Sequence, residues 1–255
     1  MKIEDKSNCD LGNFTKSQLL LERKGDNMKK KKIFILIITF LILTSLYLFI
    51  PYKQLINEYI FNIFKPKFQV SENYSKVDNN KNGVADVIDI VNGANNEVRS
   101  KTKYISNYYS GGYPPENEGV CTDVIWRGFK IAGVDLKELI DKDIKNNTKL
   151  YPRVDGKPDP NIDFRRVPNQ DVFFSRYCLS LITEVKSRNA ENLKEWQPGD
   201  IVVFTKGYEH VGIISDKRDK NGIPYVIHNT KPHASTKKLS WFTSPIHAHY
   251  RWKFN

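Results

Sequence analysis

Residues 33–50, IFILIITFLILTSLYLFI, carry no charge and offer a helix no polar face. A membrane-crossing helix needs about 20 largely apolar residues, with a lower limit near 17. This run is therefore long enough to span. Tyr47 and Tyr52 fall at its far end, where an amphipathic ring favours the membrane–water interface. Lys29, Lys30, Lys31 and Lys32 precede it directly, and basic residues are retained on the cytoplasmic side, so the chain beyond the run is predicted to lie outside. A cleaved signal peptide would have an apolar core of about 7–15 residues and a small-x-small cleavage site. Pro51-Tyr52-Lys53-Gln54 supplies no such site, so the run reads as an uncleaved anchor. A buried core helix fits poorly, because nothing else in the chain is apolar enough to surround a helix with no polar face.

This anchor divides the chain. Residues 1–32 read as a cytoplasmic tail, 33–50 as the transmembrane segment, 51–83 as stalk and linker, and 84–255 as one folded domain. The stretch Glu22-Arg23-Lys24-Gly25-Asp26-Asn27 can be encoded by a purine-rich sequence of the kind that recruits ribosomes. Translation is accordingly expected to start at Met28, so that residues 1–28 are not a domain; a short cytoplasmic tail is the alternative.

The formal net charge is +11, of which +4 falls on residues 1–32 and +7 on the remainder. A basic exported domain suits an anionic wall polymer or membrane surface. Nucleic acid is set aside, since no helix-turn-helix, zinc-finger or RNA-binding signature accompanies the charge. Three cysteines, Cys9, Cys121 and Cys178, are too few for an exported disulfide scaffold, though a Cys121–Cys178 bridge stays open.

Beyond the anchor, Leu55, Ile56, Tyr59, Ile60 and Ile63 continue an amphipathic helix, and polar residues 66–83 read as a linker. Helical spacing recurs from Val84 to Tyr104, from Cys121 to Ala132, closed by Gly133, from Leu136 to Ile144, and over 169–180. The last third changes character. Ile201–Phe204, Val211–Ile214, Tyr225–His228 and Ile246–Trp252 are short β-rich runs separated by Pro198-Gly199-Asp200 and Lys220-Asn221-Gly222. Helices first and strands later predict an α+β domain, with helices packed on an antiparallel sheet.

Cys121 opens one of these helices after a Pro/Gly loop, where unpaired N–H groups favour thiolate over thiol. Asp123, two positions on, projects from another side of the helix and need not repel that thiolate. A nucleophilic thiol needs a base within reach and a third group to orient the base. His210 opens a strand and His228, beside Asn229, ends the next, so a hairpin would set the two imidazoles side by side. An inert buried cysteine and two strand-end histidines are the plain alternative.

Gly119-Val120-Cys121-Thr122-Asp123-Val124, Pro198-Gly199-Asp200-Ile201-Val202, His210-Val211-Gly212-Ile213-Ile214-Ser215-Asp216 and Val226-Ile227-His228-Asn229 occur in that order. Together with residues 159–169, DPNIDFRRVPN, they resemble the bacterial family named domain of unknown function 1287. That family is similar to the NlpC/P60-type cell-wall cysteine peptidases, which have a papain-like fold. The likeness spans roughly residues 84–252. It implies Cys121 as nucleophile, His210 as base and His228 as orienting group. Val120-Cys121-Thr122 departs from the Asp-Cys-Ser usual in NlpC-type enzymes. The expected activity is hydrolysis of amide bonds in cell-wall peptides, without a cofactor. Gly112 and Tyr113 are expected to line the cleft, and Asn229 and Asp123 to support the site. A wall-binding module without turnover and a thiol acyltransferase acting on lipid are the rivals.

Residues 78–89, DNNKNGVADVID, follow the calcium-loop pattern, with Asp78, Asn80, Asn82, the Val84 carbonyl, Asp86 and Asp89 as ligands and Gly83 at the turn. An aspartate at the last position and neutral asparagines at the third and fifth predict weak binding, near the ~10⁻⁴–10⁻³ M of extracellular modules. A solvated Asn-rich linker explains the same residues. His247 and His249 could share a zinc ion, but no acidic or cysteine partner lies near in sequence, and His249 is read as structural.

Overall fold

The computed structural model describes residues 16–254, so Cys9 and most of the proposed untranslated segment lie outside the described residues. The chain forms two compact units, residues 1–65 and 66–255.

The first unit is a single long helix, α1 (Lys16–Phe64). The stretch Asn27–Phe49 within it is long and apolar enough to cross a membrane. From Ile33 to Phe49 its large apolar side chains are exposed. The two threonine hydroxyls inside the run are bonded within the helix itself. The Thr39 hydroxyl donates to the Ile35 carbonyl at 2.7 Å and the Thr44 hydroxyl to that of Leu41 at 2.9 Å.

The second unit is α+β. Helix α2 (Asp86–Arg99) leads to a two-residue parallel pair, β1 (Lys103–Tyr104) and β2 (Glu118–Gly119), and then to α3 (Cys121–Ile131) and α4 (Leu136–Asn147). After α5 (Val167–Tyr177) come β3 (Leu179–Ser180), the short α6 (Ala190–Leu193), β4 (Ile201–Phe204), β5 (His210–Arg218), β6 (Pro224–Asn229), β7 (Ala234–Lys238) and β8 (Ala248–Arg251). Strands β3 to β8 form one antiparallel sheet in the order β3-β8-β4-β5-β6-β7. The expected α+β class and antiparallel sheet are present. The edge strands β3 and β7 were not foreseen, because Leu179-Ser180 and Ala234–Lys238 carry little apolar signal.

The sheet is covered on both sides. Ile201, Val203, Val211, Ile213 and Ile227 face the helices and join Ile90, Val124, Ile125 and Phe129 in the larger core. Their neighbours Val202, Phe204, Ile214 and Val226 turn the other way, into a second core with Trp196, Leu193 and Leu239. Strand side chains alternate between faces, so a strand buried on both sides reads as an unbroken apolar run. That is why β4 is simply Ile-Val-Val-Phe.

Residues 66–83 form no helix or strand, but they are more than a tether. Phe68 and Val70 pack on the second core, the Phe68 N–H donates to the Lys220 carbonyl at 2.9 Å, and the Gln197 side chain donates to the Ser71 carbonyl at 3.0 Å. The compact unit thus begins at Pro66, upstream of the expected boundary at 84, because two apolar side chains in a polar stretch were enough to dock it.

Helices α2 and α3 cross at two glycines. A Cβ on Gly93 would meet the Gly128 Cα at 2.9 Å, and one on Gly128 would meet the Ile90 carbonyl oxygen at 2.9 Å. Arg127, paired with Glu97 of α2, also donates to the Pro115 and Glu118 carbonyls at 2.9 Å, which fixes the loop ahead of α3. Overpacking a tight contact costs about 1–3 kcal/mol. Gly128→Ala should therefore lower the urea midpoint by a corresponding amount with an unchanged slope, measured by circular dichroism.

Candidate active site

Cys121 begins α3, and the first turn of that helix is held by one carboxylate. Asp123 Oδ2 accepts the Val120 N–H at 2.7 Å and Oδ1 accepts the Trp126 indole N–H at 2.8 Å. Arg165 closes on it with Nε at 2.7 Å from Oδ1 and Nη2 at 2.8 Å from Oδ2. Both side chains are almost fully buried. Arg165 also donates through Nη1 to the Asn107 carbonyl at 2.9 Å, and its own carbonyl accepts the Thr122 hydroxyl at 2.8 Å. Gln170 donates to the carbonyls of Phe164 and Thr122. The segment 159–169, quoted above only as a matching motif, is therefore the clamp on the cysteine helix. Arg165 had been given no role, since nothing local in sequence says that residue 165 meets residue 123.

The Cys121 thiol is 6% exposed. Burial pushes it up to about 11; the Val211 backbone N–H and those of Thr122 and Cys121 itself act against this, and the Asp123 carboxylate adds to it. Asp123 thus does bear on the thiol, contrary to the expectation from its position on the helix. The sulfur sits beside the backbone of Val211, the residue after His210. Tyr104 of β1 is also close, its hydroxyl pushed up by burial first and then by Cys121 and Asp123. Cys121 and Cys178 are both free thiols, so the bridge left open by the sequence is not formed.

His210 and His228 meet as the hairpin reading required. His210 Nε2 and His228 Nδ1 share a hydrogen bond of 2.9 Å, with the rings nearly perpendicular. Gly212 makes this approach feasible, since a Cβ there would meet Val226 Cγ1 at 2.4 Å and His228 Cβ at 3.4 Å. Both rings stand on the face of the sheet that carries Phe204, with Phe242 packed 6.0 Å from His210 and 5.1 Å from His228. Burial lowers His210 to about 3, helped by His228 and Lys237, and lowers His228 to about 4, helped by Lys237. Both imidazoles are therefore neutral at physiological pH. His228 Nε2 is buried without a partner, and no hydrogen bond joins Cys121 to either imidazole. Asn229 Nδ2 donates to the Gly119 carbonyl at 3.1 Å and ties the end of β6 to the loop before Cys121.

Gly112, with φ +84°, backs onto Phe164 and Lys137. Tyr113 packs on Trp126 and Phe164 and borders two cavities that Cys121, His210 and His228 do not line. In the 78–89 loop, Asp78 accepts the Asn82 and Gly83 N–H groups, and Asp86 accepts that of Asn79 with both oxygens. The Asn80 and Asn82 amides both donate to Asp89 Oδ2 at 2.8 Å, and Asn80 also donates to the Ile131 carbonyl. The loop is thereby closed on itself and docked at the end of α3. His249 is buried between the Ile182 carbonyl and Asp200, stacked on Trp196, whereas the exposed His247 pairs with Asp171.

Residues 91–252 match the family described as domain of unknown function (DUF1287). The chain belongs to the DUF1287 family. The uncharacterized protein YijF of Escherichia coli (strain K12) is 35% identical over 171 residues, covering 64% of this chain and 80% of that protein. The DUF1287 match takes in Cys121, Asp123, Arg165, His210 and His228 and leaves the 78–89 loop upstream.

The histidine pair has a consequence for stability. Each ring is neutral in the fold and binds a proton near its ordinary value of 6.5 when unfolded. Between pH 6.5 and about 4 the unfolded state therefore holds more protons, and the contribution of the pair falls as pH falls. Replacing both with glutamine should flatten the acid side of a melting-temperature profile in this window, read by calorimetry against the parent protein.

Proposed function

We propose that this DUF1287 protein is a membrane-anchored thiol hydrolase of amide bonds, acting outside the cytoplasmic membrane on cell-wall peptides. The observation that carries this reading is the start of β5. There the Cys121 sulfur lies against the backbone of Val211, while His210, the residue before it, is hydrogen-bonded to His228. A cysteine at a helix N-terminus and a bonded pair of histidines are the residue types that the resemblance to NlpC/P60 peptidases calls for, which supports this reading. The four lysines before the apolar helix support an outside position for the domain, and its +7 charge favours an anionic wall.

With His210 bonded through Nε2, its Nδ1 has no hydrogen bond among the described residues and is the nitrogen left for the thiol. The His210 ring stands on the Phe204 face of the sheet and Cys121 packs on the helix face, so the reaction requires the ring to turn about the start of β5 toward the sulfur when substrate enters. Apo geometry of this kind commonly tightens only in the substrate complex. Nδ1 then takes the thiol proton as sulfur attacks the carbonyl carbon. The oxyanion is met by N–H groups at the start of α3. Collapse breaks the C–N bond, with His210 returning the proton to the leaving amine, and leaves a thioester. Water, deprotonated by His210, adds to the thioester and releases the acid, and the proton returns to sulfur. His228 holds the His210 ring.

The full-length protein in detergent, given purified wall fragments, should release amines. Cys121→Ala should reduce that release by more than about 10³-fold. Cys178→Ala should leave it unchanged and His228→Ala should lower it partially. Full turnover by Cys121→Ala would exclude the thiol mechanism. Binding without turnover by the parent protein would favour the wall-binding module.

A further inference from the structure

Two cavities meet at Tyr113. One, of about 520 Å³, lies between the loop 113–116 and the end of α3. The other, of about 830 Å³, lies between α4 and residues 157–163. They share Tyr113, Asp135 and Lys137, and each falls in the range of small-molecule sites, about 300–1,000 Å³.

The groove is preformed. Tyr113 is 45% exposed, yet its ring is seated on Trp126 at 4.8 Å and Phe164 at 5.8 Å. Gly112 has φ +84°, and a Cβ there would meet Phe164, Lys137 and the Pro160 carbonyl oxygen at 2.8–2.9 Å. Lys137 is held by its pair with Asp141 and lies over the Phe164 ring at 5.1 Å.

The polar lining selects a ligand class. The larger cavity has five carboxylates and four lysines. That near balance gives no preference for a polyanion or a polycation. Asp141 Oδ1 is buried with no hydrogen-bond partner, an acceptor in want of a donor. Asp163, 3% exposed, also borders this cavity. Burial raises both carboxyls, so a neutral hydroxyl satisfies them without adding charge. An exposed aromatic face beside interspersed carboxylates and ammoniums matches a ring with one apolar face and a rim of hydroxyls.

We propose that the Tyr113 groove binds an uncharged oligosaccharide, with a sugar ring against Tyr113 and its hydroxyls bonded to Asp141 and Lys137. This binding does not depend on the thiol chemistry. Full-length Cys121→Ala protein in lipid nanodiscs, free of glycoside detergent, separates the two. The probes are cellotetraose and the N-acetylglucosamine tetramer, with an amidated lysine tripeptide as the amine comparator, followed by calorimetry and saturation-transfer NMR. At least one tetrasaccharide should bind with a millimolar or tighter Kd. Tyr113→Ala and Asp141→Asn should each weaken it by about tenfold or more, a loss of about 1.4 kcal/mol. Tyr113→Phe should retain it, with near-ultraviolet circular dichroism unchanged in all three. The proposal is overturned if neither sugar binds at about 10 mM, if Tyr113→Ala binds as tightly as its parent, or if only the lysine peptide binds.

Discussion

The buried pair of Asp123 and Arg165 organises the part of this domain that holds Cys121. One carboxylate stops the Val120 N–H from being orphaned, anchors the Trp126 indole and receives a two-point contact from Arg165. Desolvating two charges is expensive, and their attraction repays it only where geometry is good and the remaining polar atoms are bonded. Here Arg165 Nη1 also finds the Asn107 carbonyl, and both Asp123 oxygens are used twice. Losing one member of such a pair typically costs about 3–5 kcal/mol, since the other stays buried and charged. The pair joins three separate stretches of chain, the loop after β1, the start of α3 and the segment before α5. The position of the cysteine follows from that junction.

Around this junction the polar side chains do different work from the same kind of chemistry. Asp200 collects His249, Arg251 and the Gln197 N–H, and Asp143 collects Arg176, Tyr151 and Tyr177. Each is a satisfied network that fixes a corner of the sheet or helical layer. His210 and His228 differ, because they bond to one another and leave nitrogens uncommitted. Aromatic rings and Lys237 keep that pair neutral. Satisfied networks hold structure, and incompletely satisfied buried groups are where chemistry or ligand binding has room to act.

The sequence was legible where a single local signal was strong. The uncharged run 33–50 defined an apolar helix long enough to span a membrane, the Ile-Val-Val-Phe run defined a strand buried on both faces, and Gly133, with φ +77°, closed α3 where a helix end was read. His210 and His228 were paired correctly because the turn at residues 220–222 sets a hairpin, whose register puts His228 across from Gly212 and diagonal to His210 on the same face. Illegible were the contacts between distant segments. Phe68 and Val70 looked like linker residues, Arg165 had no assigned partner, and the packing of Tyr113 on Trp126 and Phe164 had no local signal.

Local chemistry by itself determined that this chain carries one apolar helix and, beyond it, an α+β domain with a thiol at a helix start and two histidines on adjacent strands. Periodicity, charge and turn residues act over a few positions, and those features need no more. Tertiary structure alone decided that Asp123 is neutralised by a residue 42 positions away, that the thiol is sealed and neutral, and that Tyr113 opens onto its own groove. Burial and long-range pairing set those outcomes, because the desolvation of a group depends on every segment packed around it and not on its neighbours in sequence.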